Sequence, residues 1–359
     1  MLDKGLSMGF GSLWRLSVAC VTLLLCSCGG EIEPLPLGLK GSLERLQGFG
    51  VTRPLVTGIG SVDAASGHPE WFPSADLFGG KSALRMYARV AQDAALFRRL
   101  DRQLSFDAVW VSGDPGNSGP LLENLVLESG WVAAYVDHQG IIFRRGEAGS
   151  VGLEVGPQDV GGLRPKELAR VKSALAVQLV ALRRFTEARS AIAEARRLSS
   201  REPDVWVAEA RVELGENRWE AAEAAAEKAL GLRGRYLPAM SVRARALYSM
   251  GRFADAFIWS RRLVERAAGD PLVLFNHAKI AHELRIFGDE VETLRRLIEV
   301  VERDGGWSAG YRIYLGQAYA ALGEGESALS EFRSVRGDPG LSADQQSFVK
   351  EALEKLEGR

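Results

Sequence analysis

Hydrophobic and polar positions in the second half of the chain alternate with helical spacing, and small residues recur at a fixed step. Ala176, Ala210, Ala244 and Ala278 stand 34 residues apart, and a second rung, Ala188, Ala222 and Ala256, keeps the same interval. A period of this length predicts stacked helical hairpins, because a single hairpin cannot bury its apolar face without neighbours. Alanine at the rungs marks close helix crossings, where a larger side chain would push the backbones apart. The predicted units are Ala169–Glu202, Pro203–Tyr236, Leu237–Asp270, Pro271–Asp304 and Ala309–Ser342. Beyond them, residues 343–359 predict a capping helix with Phe348, Leu353 and Leu356 on one side. Three departures stand out. Leu214-Gly215 comes two residues early, which predicts a lengthened turn in the second unit, and Glu290 occupies a rung where alanine is expected. Arg303 to Trp307 adds four residues, shifting the ladder to Gly316 and Ala328 and predicting a bend.

The pattern ahead of the repeats is different. Pro54 to Ile59 predicts a strand, Lys81 to Leu104 a long amphipathic helix, and the continuous apolar run Phe106 to Ser112 a buried strand. A helix capped by Asn117 or Ser118, with Pro120 in its first turn, follows. Trp131–Val136 and Ile141–Arg145 predict a hairpin across Asp137-His138-Gln139-Gly140, with Gly140 supplying a positive φ. Residues 51–148 therefore form a small α/β domain. A Gly-rich linker, 149–165, leads into the repeats of 166–342. The fold class is multidomain: a small α/β domain followed by an all-α solenoid.

The first thirty residues change the picture. Lys4 and Arg15 precede an apolar run, Leu16 to Cys26, that is short for a bilayer span and reads as an export signal. Leu25-Cys26-Ser27-Cys28 resembles a bacterial lipobox. That resemblance implies a signal peptide over 1–27, lipidation of Cys28, a tether over 28–50 and, with Gly29 after the cysteine, placement on the outer membrane facing the periplasm. The three cysteines, Cys20, Cys26 and Cys28, all fall in this segment, so the exported chain has no pair to oxidise. A net charge of −1 offers no bulk attraction for nucleic acid.

The repeat register resembles the tetratricopeptide repeat (TPR), most plainly in the fifth unit through Leu315-Gly316, Tyr319, Leu322-Gly323, Ala328, Phe332 and Pro339. Arg211, Arg245 and Lys279 each follow a rung alanine, and Gln317 follows the displaced Gly316. The resemblance implies that this position faces a concave groove, flanked by Tyr248 and His282. Cations there can hold an acidic peptide or a chain-terminal carboxylate. Farther forward, Asp76-Leu77-Phe78-Gly79, Tyr87, Phe106 to Val111, Gly130-Trp131, Tyr135-Val136-Asp137 and Ile142 to Arg145 resemble a soluble exported domain. That domain follows the membrane spans of some glycosyltransferase-like proteins.

Candidate chemistry adds little. The loop Gly113 to Gly119 sits between a strand and a helix, where backbone amides can hold an anion, but it lacks the lysine and spacing of a P-loop. Asp76, Asp107 and Asp137 are expected as caps and turns. His277 and His282 are five apart on a helix, which does not put them on one face as metal ligands. The reading is a non-catalytic, lipid-anchored scaffold with no cofactor or metal, binding a protein or peptide through its groove. The alternative is an accessory of envelope glycan handling with a ligand-binding α/β domain.

Overall fold

The computed structural model describes residues 45, 48–51, 54–57, 90, 94–127, 130–147, 152–156, 162–303, 307–338 and 340–358. The signal segment, Cys28 and most of the tether lie outside these residues, as do Asp76, Tyr87 and the first half of the Lys81–Leu104 helix. No helix among the described residues is long and apolar enough to cross a membrane. The chain divides into two compact units, one ending at Ala246 and the other starting at Leu247.

The first unit begins with a five-stranded sheet: β1 (Pro54–Thr57), β2 (Ala108–Ser112), β3 (Gly130–Val136), β4 (Gly140–Gly146) and β5 (Glu154–Val155), in the order β1-β2-β4-β3-β5. β1 runs parallel to β2, β4 is antiparallel to β2 and to β3, and β5 lies parallel to β3. The Gly-rich stretch read as a linker thus contributes an edge strand, anchored by Gly156 N–H donating to the Val136 carbonyl at 2.7 Å. Helices α1 (Ala94–Leu104) and α2 (Gly119–Leu127) belong to the same unit. Arg145 ties the end of α1 to the sheet: its guanidinium pairs with Asp101, and its Nε donates to the Phe106 carbonyl at 2.8 Å.

The hairpin joining β3 and β4 forms as expected, but for a different reason at Gly140. Its φ is not positive; a Cβ there would lie 2.9 Å from the Ser112 Cα, so close approach to β2 excludes a side chain. Asp137 caps the turn instead, its Oδ1 accepting from the amides of Gln139 at 2.8 Å and Gly140 at 3.1 Å.

Helical hairpins and a final helix follow. In the first unit α3 (Pro165–Ala181) pairs with α4 (Phe185–Leu198) and α5 (Pro203–Gly215) with α6 (Trp219–Leu232), and along the chain come next α7 (Leu237–Ser249) and α8 (Phe253–Val264). Then come α9 (Pro271–Glu283) with α10 (Phe287–Arg303), α11 (Ala309–Leu322) with α12 (Gly325–Ser334), and α13 (Ala343–Glu357). Ser342 caps α13 through a reciprocal box with Gln345. Every rung alanine is buried, and at the displaced rung a Cβ on Gly316 would lie 2.7 Å from the Phe332 ring.

The hairpin turns carry a second periodic signature. Arg183, Asn217, Gly251, Arg285 and Gly323 have φ of 57°, 60°, 75°, 57° and 83°, one left-handed residue per turn. Four of these five keep the 34-residue step and the last is displaced by the four-residue insertion. The expected lengthening of the second turn is therefore wrong: α5 ends at Gly215 and α6 starts at Trp219, the same spacing as Ala181 to Phe185. Asn217 is the turn residue. Gly215 sits inside α5, where a Cβ would meet the Phe185 ring at 2.8 Å, so it is a packing glycine. α10 runs to Arg303 over 17 residues, longer than the 14 of α4 and of α6.

Glu290, the exception on the second rung, is also buried, at 1% exposure. His282 Nδ1 lies 3.0 Å from its carboxylate. Burial raises the Glu290 pKa and the histidine opposes the shift. One residue type larger than alanine is accommodated because its polar end has a partner inside the hairpin.

Candidate partner-binding groove

In the first unit one hydrophobic cluster runs without a break from the sheet into the first repeats. Val109, Val111, Ile141 and Phe143 of the strands and Leu121, Leu122 and Leu125 of α2 share it with Leu175, Ala176, Val177 and Leu179 of α3 and Val212 of α5. Two polar contacts lie alongside. Gln178 Nε2 on α3 donates to the Gly113 carbonyl at 2.7 Å. Arg211 on α5 places Nη1 2.8 Å from Asp114 Oδ2.

The β2–α2 loop that makes these contacts has a defined local fold. Gly113 adopts φ 83°, and Asp114 Oδ1 caps a 3-10 turn, Pro115–Ser118, by accepting the Gly116 amide at 2.9 Å. Asp114 thus caps the 3-10 turn, while α2, for which Asn117 or Ser118 was expected as the cap, starts at Gly119 directly after Ser118. The loop also cannot act as an open anion cradle, since it brings its own carboxylate. Burial raises the Asp114 pKa, and the Arg211 guanidinium pulls in the opposite direction.

This arrangement assigns Arg211 a role that periodicity did not foresee. At 6% exposure it is buried against the loop of the same chain. Gln178, which the sequence reading missed, is 2% exposed and its Oε1 has no hydrogen-bond partner among the described residues. An unpaired buried acceptor costs about 1–3 kcal/mol. The available signal was its place on α3, one residue beyond Val177, the position of the first repeat that corresponds to Arg211. Arg245 is half-buried on α7.

The second unit holds the other predicted groove residues. Lys279 on α9 is buried, its Nζ 5.2 Å from the centroid of the Tyr248 ring. The Tyr248 hydroxyl donates to Glu283 at 3.1 Å, and burial with that carboxylate pushes its pKa upward. His282 turns to Glu290. Two of the three cations expected to form one open line are therefore buried. Next to Lys279 on the same face of α9, one helical turn back, Phe275 meets Tyr311 and Tyr314 of α11 at 5.3 and 5.6 Å. These three rings are half-buried, and Gln317, one turn beyond Tyr314, keeps a buried Oε1 without a partner among the described residues. Burial next to Tyr314 raises the Tyr311 phenol to about 12.

A polar network lies deeper in this unit. His277 Nδ1 is 2.7 Å from Ser260 Oγ and its Nε2 is 2.8 Å from Asp289 Oδ2, while its ring stacks on Phe257 at 4.9 Å. The residue types are those of a hydrolytic triad, but Ser260 is 2% exposed and its hydroxyl also donates to the Phe257 carbonyl at 3.1 Å. A serine with no path to substrate is a core hydrogen-bonding group. Burial lowers the His277 pKa against the opposing pull of Asp289. Among the described residues no group of histidines, cysteines and carboxylates can hold a metal ion.

The sequence matches no family model and no curated protein. Solved structures that resemble the chain are TPR proteins. PilF of Pseudomonas aeruginosa is 13% identical, with a TM-score of 0.45 over 53% of this chain and 90% of its own. YrrB, described as a TPR protein with an unusual peptide-binding site, is 17% identical, with a TM-score of 0.42 over 53% and 92%. MamA of Desulfovibrio magneticus RS-1 is 16% identical, with a TM-score of 0.40 over 52% and 98%. At these levels the evidence for the helical-hairpin architecture is the chain's own periodic geometry.

Proposed function

We propose that the chain is a non-catalytic scaffold that binds a protein partner through the first-helix faces of its repeats. The observation that carries this reading is the half-exposed ledge of Phe275, Tyr311 and Tyr314 beside Gln317. Aromatic rings supply contact area with little conformational entropy to lose. The lipobox resemblance around Cys28 supports export and anchoring of the scaffold to the outer membrane, with the repeats in the periplasm.

The test is affinity capture from envelope extract with the full chain and with Gln317→Ala and Tyr314→Ala variants. Loss of the same captured protein in these variants, with cooperative melting retained, supports the reading. Undiminished capture by both would end it. Mass measurement of the N-terminal peptide reads out acylation at Cys28.

A further inference from the structure

We propose that the Gly113–Ser118 loop occupies the groove in cis, standing where an Asp-bearing turn of a protein partner docks when the loop is displaced. The proposal deepens the groove reading of the repeats at its N-terminal end. Its basis is geometric. The loop presents one carboxylate, Asp114, to Arg211, the residue that register places on the groove face of the second repeat, at 2.8 Å. It presents one carbonyl, Gly113, to Gln178 of the first repeat at 2.7 Å. A charged side chain plus a backbone group is how a groove reads a peptide segment.

The occupant is incompletely matched to its site. Gln178 Oε1 stays buried with no donor among the described residues, although its amide nitrogen is paired. A partner turn bringing both a carboxylate and a free backbone N–H satisfies what the loop leaves unsatisfied. Burial also holds the Asp114 carboxyl at a raised pKa, so the cis pair carries an unrecovered desolvation cost. The loop is bounded by segments in the core, β2 ahead of it and α2 behind it, and Gly113 with its positive φ provides a pivot. Displacement moves Asp114 together with the buried Pro115, Gly116 and Ser118, while β2 and α2 stay in the shared core.

The test uses the full chain and a dye-labelled peptide of residues 111–119, in the native Asp114 form and with Asn in its place. Asp114→Asn in the protein keeps the acceptor for the Gly116 amide but removes the charge. The Asp114→Asn chain is expected to bind the Asp peptide about tenfold more tightly than wild type, with no such gain for the Asn peptide. Adding Arg211→Gln should erase the gain. In wild type, a large excess of Asp peptide should accelerate hydrogen exchange of the Gly116 amide. An Asp114→Asn chain that melts cooperatively yet binds the Asp peptide no better than wild type, or binds both peptides alike, overturns the proposal. If that variant does not fold, unchanged Gly116 exchange in wild type overturns it. The Tyr314 and Gln317 variants lie in the other unit, so failure of the ledge reading and failure of the loop reading appear in separate measurements.

Discussion

Asp114 Oδ2 sits 2.8 Å from Arg211 Nη1, joining a loop of the sheet to the second repeat by an ion pair in which the arginine is almost fully buried. Removing one partner of such a pair strands the other. Arg211→Ala and Asp114→Ala are each expected to cost about 3 kcal/mol, at the low end for buried pairs because Asp114 keeps 23% side-chain exposure. The double variant should cost less than the sum of the two. Denaturant unfolding of all four proteins as a double-mutant cycle measures the difference.

The left-handed turn residues offer a stabilising change. Arg183 and Arg285 occupy φ near 57°, a conformation that Gly251 and Gly323 adopt in sister turns without a Cβ penalty. Arg183→Gly and Arg285→Gly should each raise stability by roughly 0.5–1 kcal/mol, the relief exceeding the extra entropy of glycine in the unfolded chain. Asn217→Gly should change less, since asparagine tolerates this region. Melting temperatures of the three single variants provide the comparison.

Packing glycines predict the reverse. A methyl at Gly215 meets Phe185, and one at Gly316 meets Phe332, both below 3 Å from ring atoms. Gly215→Ala and Gly316→Ala should destabilise by about 1–3 kcal/mol despite alanine's higher helix propensity. Gly231→Ala, with open space around it, should be neutral or mildly stabilising, and circular dichroism melting separates the two outcomes.

His277 makes the second unit sensitive to acid. Its folded pKa is depressed by burial, so its contribution to stability is present above the ordinary histidine value of about 6.5 and is lost as pH falls through the folded value. Glu290 has the opposite sign: its raised pKa contributes stability below the ordinary carboxylate range, and that contribution is lost as pH rises through the folded value. The His277 contribution should therefore fall away as pH drops below about 6.5, and the Glu290 contribution, opposite in sign, should offset part of that loss as pH falls from its raised folded value toward the ordinary carboxylate range. His277→Gln should flatten that slope. Glu290→Gln, which removes a desolvated charge, should gain about 1 kcal/mol at neutral pH and lose the low-pH compensation. Melting curves across the pH series test both.

Periodicity made the repeats legible because burial at a helix crossing acts on the residue itself: Ala176, Ala210, Ala244 and Ala278 must be small wherever the rest of the chain lies. The hairpin ends were legible for the same local reason. The second turn was misread because Gly215 and Asn217 exchange the roles a glycine usually signals, and only the neighbouring Phe185 ring reveals it. The candidate site was less legible. Register named Arg211, Arg245 and Lys279 as equivalent, and local pattern alone supports that. Their environments differ, since Arg211 is covered by Asp114 from a distant segment and Lys279 packs on Tyr248. The sequence by itself determined the repeat, its step and its small rungs, because these follow from contacts between near neighbours. The partner of each groove residue was decided by tertiary structure alone, because an ion pair such as Asp114–Arg211 depends on where a remote loop comes to rest.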